Sequence, residues 1–171
     1  MLKTISLAAA LALTATAALA ETPTITDITG TWTGTGFVQK NEKSKPMNVK
    51  CEVEGAQSGD EVSFDGYCRA MIIVKRAIGA QLVRSGDTYT GTYTGSDAGV
   101  AKLDGGEPKP GLLDLEMQFP RDVNGDAVAR MVIETPSEDS FTIRTTDMME
   151  SGVEVVTSEV TFEREASVAE N

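Results

Sequence analysis

MNVKCEVEGAQSGDEVSFDGYCRAMIIV, residues 47–74, holds both cysteines of the chain and decides how it folds. Gly59-Asp60 is a two-residue turn signal with alternating runs on either side. A turn there sets Cys51 opposite Cys68 in a non-hydrogen-bonded pair, where antiparallel Cα atoms approach to about 4.5 Å. That is near the short end of the disulfide range. The register also sorts the side chains. Cys51, Val53, Gly55, Val62, Phe64, Gly66 and Cys68 share one face, and Lys50, Glu52, Glu54, Glu61, Ser63 and Asp65 the other. Such alternation predicts a half-buried hairpin with the cysteines on the core face. The rival turn, Asp65-Gly66, sets Cys68 opposite Ser63 and scrambles both faces, so it ranks second.

The first twenty of the 171 residues read as a secretory signal. Lys3 is the positive start, Ile5 to Leu19 an apolar run, and Ala18-Leu19-Ala20 a cleavage site before Glu21. Cleavage after Ala20 predicts a periplasmic or secreted bacterial protein. In that oxidising setting two facing cysteines join. The expected division is a signal peptide over 1–20, a flexible leader over 21–27, a β-barrel domain over 28–165 and a disordered tail over 166–171.

Composition excludes several chemistries. With 26 Asp and Glu against 15 Lys and Arg, the net charge is -11, which disfavours nucleic acid and anionic membrane surfaces and permits a basic protein or a neutral small molecule. There is no histidine, so Ser-His-Asp and Cys-His nucleophiles and histidine-ligated zinc are ruled out. No Asp or Glu is seen on an apolar face, where burial would raise its pKa. A non-catalytic monomer without metal or cofactor is expected.

Short alternating runs separated by Gly, Asp, Asn, Ser and Pro indicate an all-β chain of nine or ten strands. Thr31–Gln39 is the first, with Trp32, Gly34, Gly36 and Val38 on one face. Met71-Ile72-Ile73-Val74 is apolar on both faces and predicts a covered strand. Ala80–Arg84 and Thr88–Thr94 form a hairpin around Ser85-Gly86-Asp87, and Asp104–Gly111 is a long loop. Leu113, Leu115, Met117 and Phe119 alternate inward. A two-residue turn at Asn124-Gly125 would set Phe119 against Arg130; a three-residue loop, Val123-Asn124-Gly125, sets Phe119 against Ala129, Met117 against Met131 and Leu115 against Ile133, and packing chooses the longer loop. The run from Asp122 to Asp126 offers oxygen ligands at calcium-loop spacing, but Ala127 and Ile133 stand where Gly and Glu are needed, so it reads as a hairpin turn. Phe141–Thr145 is a short strand, and Val153–Arg164 the last, with Val156, Val160 and Phe162 inward. These strands are too short, and too charged on one face, to predict membrane insertion.

Gly30-Thr31-Trp32 resembles the G-x-W signature of the calycin superfamily, the lipocalins and their relatives. The resemblance implies an antiparallel calycin-like barrel of 8–10 strands that binds a ligand in its mouth. It also implies that Trp32 sits at the closed barrel end under an arginine of the last strand, and Arg164 matches by position and parity. Stacking on an indole face is a reason for an inward arginine. Thr146-Asp147-Met148 is only faintly similar to a second family motif, T-D-Y.

Tyr89 and Tyr93, flanking Gly91, either line a ligand mouth or pack across strands. Met71, Met117 and Met131 fit either a soft ligand cavity or core filling. The leading expectation is a small, mostly apolar ligand held inside the barrel. The alternatives are an acidic module that inhibits a protease or lysozyme, and a structural envelope protein.

Overall fold

A computed structural model of the protein describes residues 27–71, 74–106, 109 and 111–166. The predicted signal peptide, nearly all of the leader and most of the tail lie outside the described residues. Ten strands follow one another: β1 (Gly30–Val38), β2 (Met47–Ser58), β3 (Glu61–Ala70), β4 (Val74–Ser85), β5 (Thr88–Ser96), β6 (Gly99–Gly105), β7 (Leu112–Val123), β8 (Asp126–Ser137), β9 (Ser140–Met148) and β10 (Glu154–Arg164). Each pairs antiparallel with its sequence neighbours, and β10 returns to β1, closing an up-and-down barrel with no free edge.

The hairpin of β2 and β3 has the register read from the sequence, Cys51 opposite Cys68 and Gly55 opposite Phe64. The cysteines are bonded, with Cα atoms 4.0 Å apart. Gly59 takes φ +61 at the turn, as a tight hairpin needs. The alternation predicted for this pair places Val49, Cys51, Val53, Val62 and Phe64 in the core. Closure of β10 on β1 uses a second local device. A Cβ on Gly34 would meet the Phe162 ring at 2.7 Å, so only glycine lets Phe162 pack flat over β1 opposite it.

Three local readings are corrected. Met71 and Val74 are not covered: β3 stops at Ala70, Met71 takes φ +56 at a turn and is 70% exposed, and Val74 opens β4 at 43% exposed. Ile72 and Ile73 lie outside the described residues. An apolar residue at a turn, such as Met71, has the same letters as one in a buried strand, and composition alone does not separate them.

The second correction concerns the β7–β8 turn. It is the two-residue one, with Val123 opposite Asp126 and positive φ at Asn124 and Gly125. A break in the ladder between Gln118 and Val123 then takes up extra residues on β7. Met117 therefore faces Ala129 and Leu115 faces Met131. The packing argument assumed an unbroken ladder. The error is an even number of residues, so the same side chains still point inward.

The third correction is Val156. A bulge between Val156 and Ser158 shifts β10, and Val155 stands opposite the inward Asp147 instead.

The disulfide closes a 17-residue separation, worth about 3 kcal/mol through the unfolded state. Thiol titration of the denatured, unreduced protein should find no free thiol. Reduction should lower the unfolding free energy by about that amount in a denaturant titration. Two titratable thiols before reduction would contradict the pairing.

Candidate functional site

At one end of the barrel the side chains lock together in layers. Trp32, 2% exposed, donates its indole N–H to the Ile28 carbonyl at 2.8 Å. Its ring meets Phe141 edge-on at 4.8 Å, and Phe141 stacks on Phe162 at 4.7 Å. The guanidinium carbon of Arg164 lies 4.2 Å from the indole centroid, and Trp32 and Arg164 are directly opposed across the β1–β10 ladder. Arg164 also donates to the carbonyls of Asp27 and Glu138, both at 2.8 Å, and to that of Thr29. One side chain thus ties the segment before β1, the β8–β9 turn and the last strand to the indole face.

The interior above this layer is filled. Met117, Met131 and Tyr89 are fully buried among the core side chains, and Tyr93 is partly buried against them. Burial raises the pKa of both tyrosines, and the Tyr89 hydroxyl has no partner. An apolar internal cavity bounded by Val62, Phe64, Leu82, Ile133, Phe141 and Ile143 measures about 10 Å³, room for one water at most. Met71, proposed with these residues as ligand-lining, points instead to solvent at a turn at the opposite end. Alternation along an element reveals which residues face inward. It does not reveal whether they leave a void.

A larger hollow lies on the wall of β7 to β10. It measures about 390 Å³, and its lining includes Glu116, Val128, Arg130, Met148 and Glu154. Arg130 is taken by Asp114, with Nε donating to Oδ1 at 2.7 Å, and this bond holds the Asp114 carboxyl below its usual range. Glu116, Asp126 and Glu154 form no ion pair among the described residues. Among those residues no group of three or more Asp, Glu, Cys or His is placed to hold a metal ion.

Asp147, which also borders the groove, is the residue the sequence reading missed. It is 4% exposed on the inward face that runs Phe141, Ile143, Thr145, Asp147. One carboxylate oxygen accepts from the Asn124 side chain at 2.7 Å, and the other has no partner. Desolvation raises its pKa, the Asn124 bond opposes this, and the Asp126 charge adds to the rise. The signal was present: carrying the period-two pattern two residues past Thr145 reaches it.

No protein-family model matches the sequence, and no curated protein matches it. Solved structures do share the fold. Rv2717c from M. tuberculosis superposes with a TM-score of 0.62 at 12% identity, covering 82% of this chain and 94% of that one. The S-type phycobiliprotein lyase CPES from Guillardia theta superposes at 0.54 and 13% identity, covering 81% and 89%. EF1p2_mFAP2b bound to DFHBI reaches 0.42 at 13% identity, covering 83% of this chain and 100% of that one. For the first two, at these identities, the likeness is one of fold.

Asp147 sets a pH dependence of stability. A carboxyl whose folded pKa is raised holds its proton more tightly in the folded state. Ionising it costs stability as pH rises through that pKa, and the cost is absent below the unfolded value near 3.8. Asp147→Asn retains an acceptor for Asn124 and cannot ionise. It should therefore unfold at higher denaturant concentration than wild type at pH 7, with the gap closing toward pH 4. A variant less stable than wild type at pH 7, or a gap constant with pH, would contradict this.

Proposed function

We propose that this protein is an exported, non-catalytic binding barrel that holds a small, positively charged organic ligand in the groove on its β7–β10 wall. The observation that carries this reading is the contrast between a filled interior and a hollow of about 390 Å³ outside it. That volume is within the usual range for small-molecule sites. An apolar ligand inside the barrel would have to displace Met117, Met131 or Tyr89, each fully buried, at the cost of a close-packed core. On the wall, Val128 and Met148 supply apolar contact while Glu116, Asp126 and Glu154 supply charge. The unpartnered oxygen of Asp147 beneath them deepens the negative potential of the site.

Export is supported by the A-x-A site at Ala18-Leu19-Ala20 and by the disulfide, which persists in oxidising compartments. Kinship with the calycins is supported by Gly30-Thr31-Trp32 with Arg164 stacked on the indole and by the closed barrel. A basic protein is the second reading, favoured by the net charge of -11 and by the position of the groove on an outer wall. Such binding would weaken sharply as ionic strength rises from about 0.01 to about 0.15 M.

Titration with a series of alkyl and aromatic primary amines, followed by amide chemical shifts, tests the reading. Shifts should concentrate at Val128, Arg130, Thr146 and Met148. Glu116→Gln with Glu154→Gln should weaken binding about tenfold, as two exposed ion pairs allow. Shifts centred on Met117, Met131 and Tyr89 would move the ligand into the barrel. If no amine binds while hen lysozyme does at low salt, the protein-binding reading takes its place.

A further inference from the structure

We propose that the barrel end formed by the β1–β2 loop and the β3–β4 turn is a docking face for an anionic lipid surface. Lys50 on β2 stands directly opposite Arg69 on β3, and Arg69 opposite Lys75 on β4. All three are exposed. Like charges directly opposed across strands destabilise a sheet, and none of the three forms an ion pair among the described residues. Arg69 and Lys75 converge on one ring, at 5.0 and 3.6 Å from the centroid of Tyr67, which holds two cations side by side. The adjoining loop adds exposed Lys40, Lys43 and Lys45. Six of the chain's 15 Lys and Arg thus gather at one corner of an acidic protein. Acidic groups stand beside them: Glu42 in the loop, Glu52 one row deeper, to which the Tyr67 hydroxyl donates, and Asp97 of the β5–β6 turn, which is paired at 2.6 Å with Arg76 next to Lys75.

The same corner presents apolar side chains to solvent. Met71 stands at the turn, Val74 opens β4, and Met47, exposed as well, opens β2 beside them. Cations ringing exposed apolar side chains are the pattern of an interfacial anchor, where the apolar groups enter the headgroup boundary and the cations face the acidic lipid. A purely aqueous anion such as phosphate gives no role to Met71. The net charge of -11 does not prevent contact, because charges further than a Debye length of about 8 Å from the surface are largely screened at physiological salt. Bulk charge argued against an anionic surface. The placement of the cations in the fold reverses that locally.

Sedimentation of the purified protein with vesicles of phosphatidylcholine, with and without phosphatidylglycerol, tests the proposal. Binding should require phosphatidylglycerol. The variant K50Q/R69Q/K75Q should lose about 100-fold in apparent affinity, at about fivefold per charge. It should fold at least as well as wild type, because a repulsive row is removed. Met71→Ser, at an exposed turn, should keep its stability and weaken vesicle binding several-fold. The N-terminal segment is identical in wild type and variants, so their differences report the corner alone. Equal binding by wild type and the triple variant, or none by wild type, overturns the proposal. So does competition by free glycerol phosphate with no effect of Met71→Ser, which marks a soluble-anion site. Self-association that the triple variant abolishes, without vesicle binding, would assign the corner to the acidic wall of a second copy.

Discussion

Contact between the Arg164 guanidinium and the Trp32 indole joins the first strand to the last, and the closed barrel depends on that joint. Nine hairpin-like connections are local in sequence; the β1–β10 ladder, running from Trp32 opposite Arg164 to Val38 opposite Ser158, is not. It carries nearly the full loop-closure entropy of the domain. The stack at 4.2 Å, the carbonyls of Asp27, Thr29 and Glu138 around the guanidinium and Phe162 lying over Gly34 all act at this seam. Without it, β1 and β10 would each present an unpaired edge.

What was legible in the sequence follows from how local the information is. The β2–β3 register could be derived because a turn signal, two cysteines and two alternating faces agreed on one answer. The β7–β8 register failed because the break after Gln118 has no sequence mark, although inward and outward sorting survived. Met71 was misplaced because an apolar residue at a turn has the same letters as one in a core. Asp147 was missed where the strand was ended two residues early. The pairing of Arg164 with Trp32 came from the resemblance of Gly30-Thr31-Trp32 to the calycin signature; position and parity only marked Arg164 as the arginine that fits it. The filled interior was beyond reach: whether inward side chains meet depends on strand number, tilt and stagger together.

Charge is unevenly distributed over the barrel. Strands β7 to β10 carry carboxylates around a groove, with Arg130 committed to Asp114 and Arg144 to Glu159 at 2.6 Å. The rim of β2, β3 and β4 gathers uncommitted cations beside exposed Met71 and Val74. On a rigid closed barrel these two regions keep a fixed relation.

A double-mutant cycle on Trp32 and Arg164, read by reversible denaturant unfolding, tests the closing contact most directly. Trp32→Ala should cost about 3–5 kcal/mol as a buried aromatic loss. Arg164→Ala should cost about 2–4 kcal/mol, more than a cation–π contact alone, because charged hydrogen bonds to backbone carbonyls go with it. The double variant should fall short of the sum by about 0.5–2 kcal/mol, the energy the two side chains share. Strict additivity would mean that the guanidinium and the indole stabilise the barrel independently, and the account of its closure would be wrong.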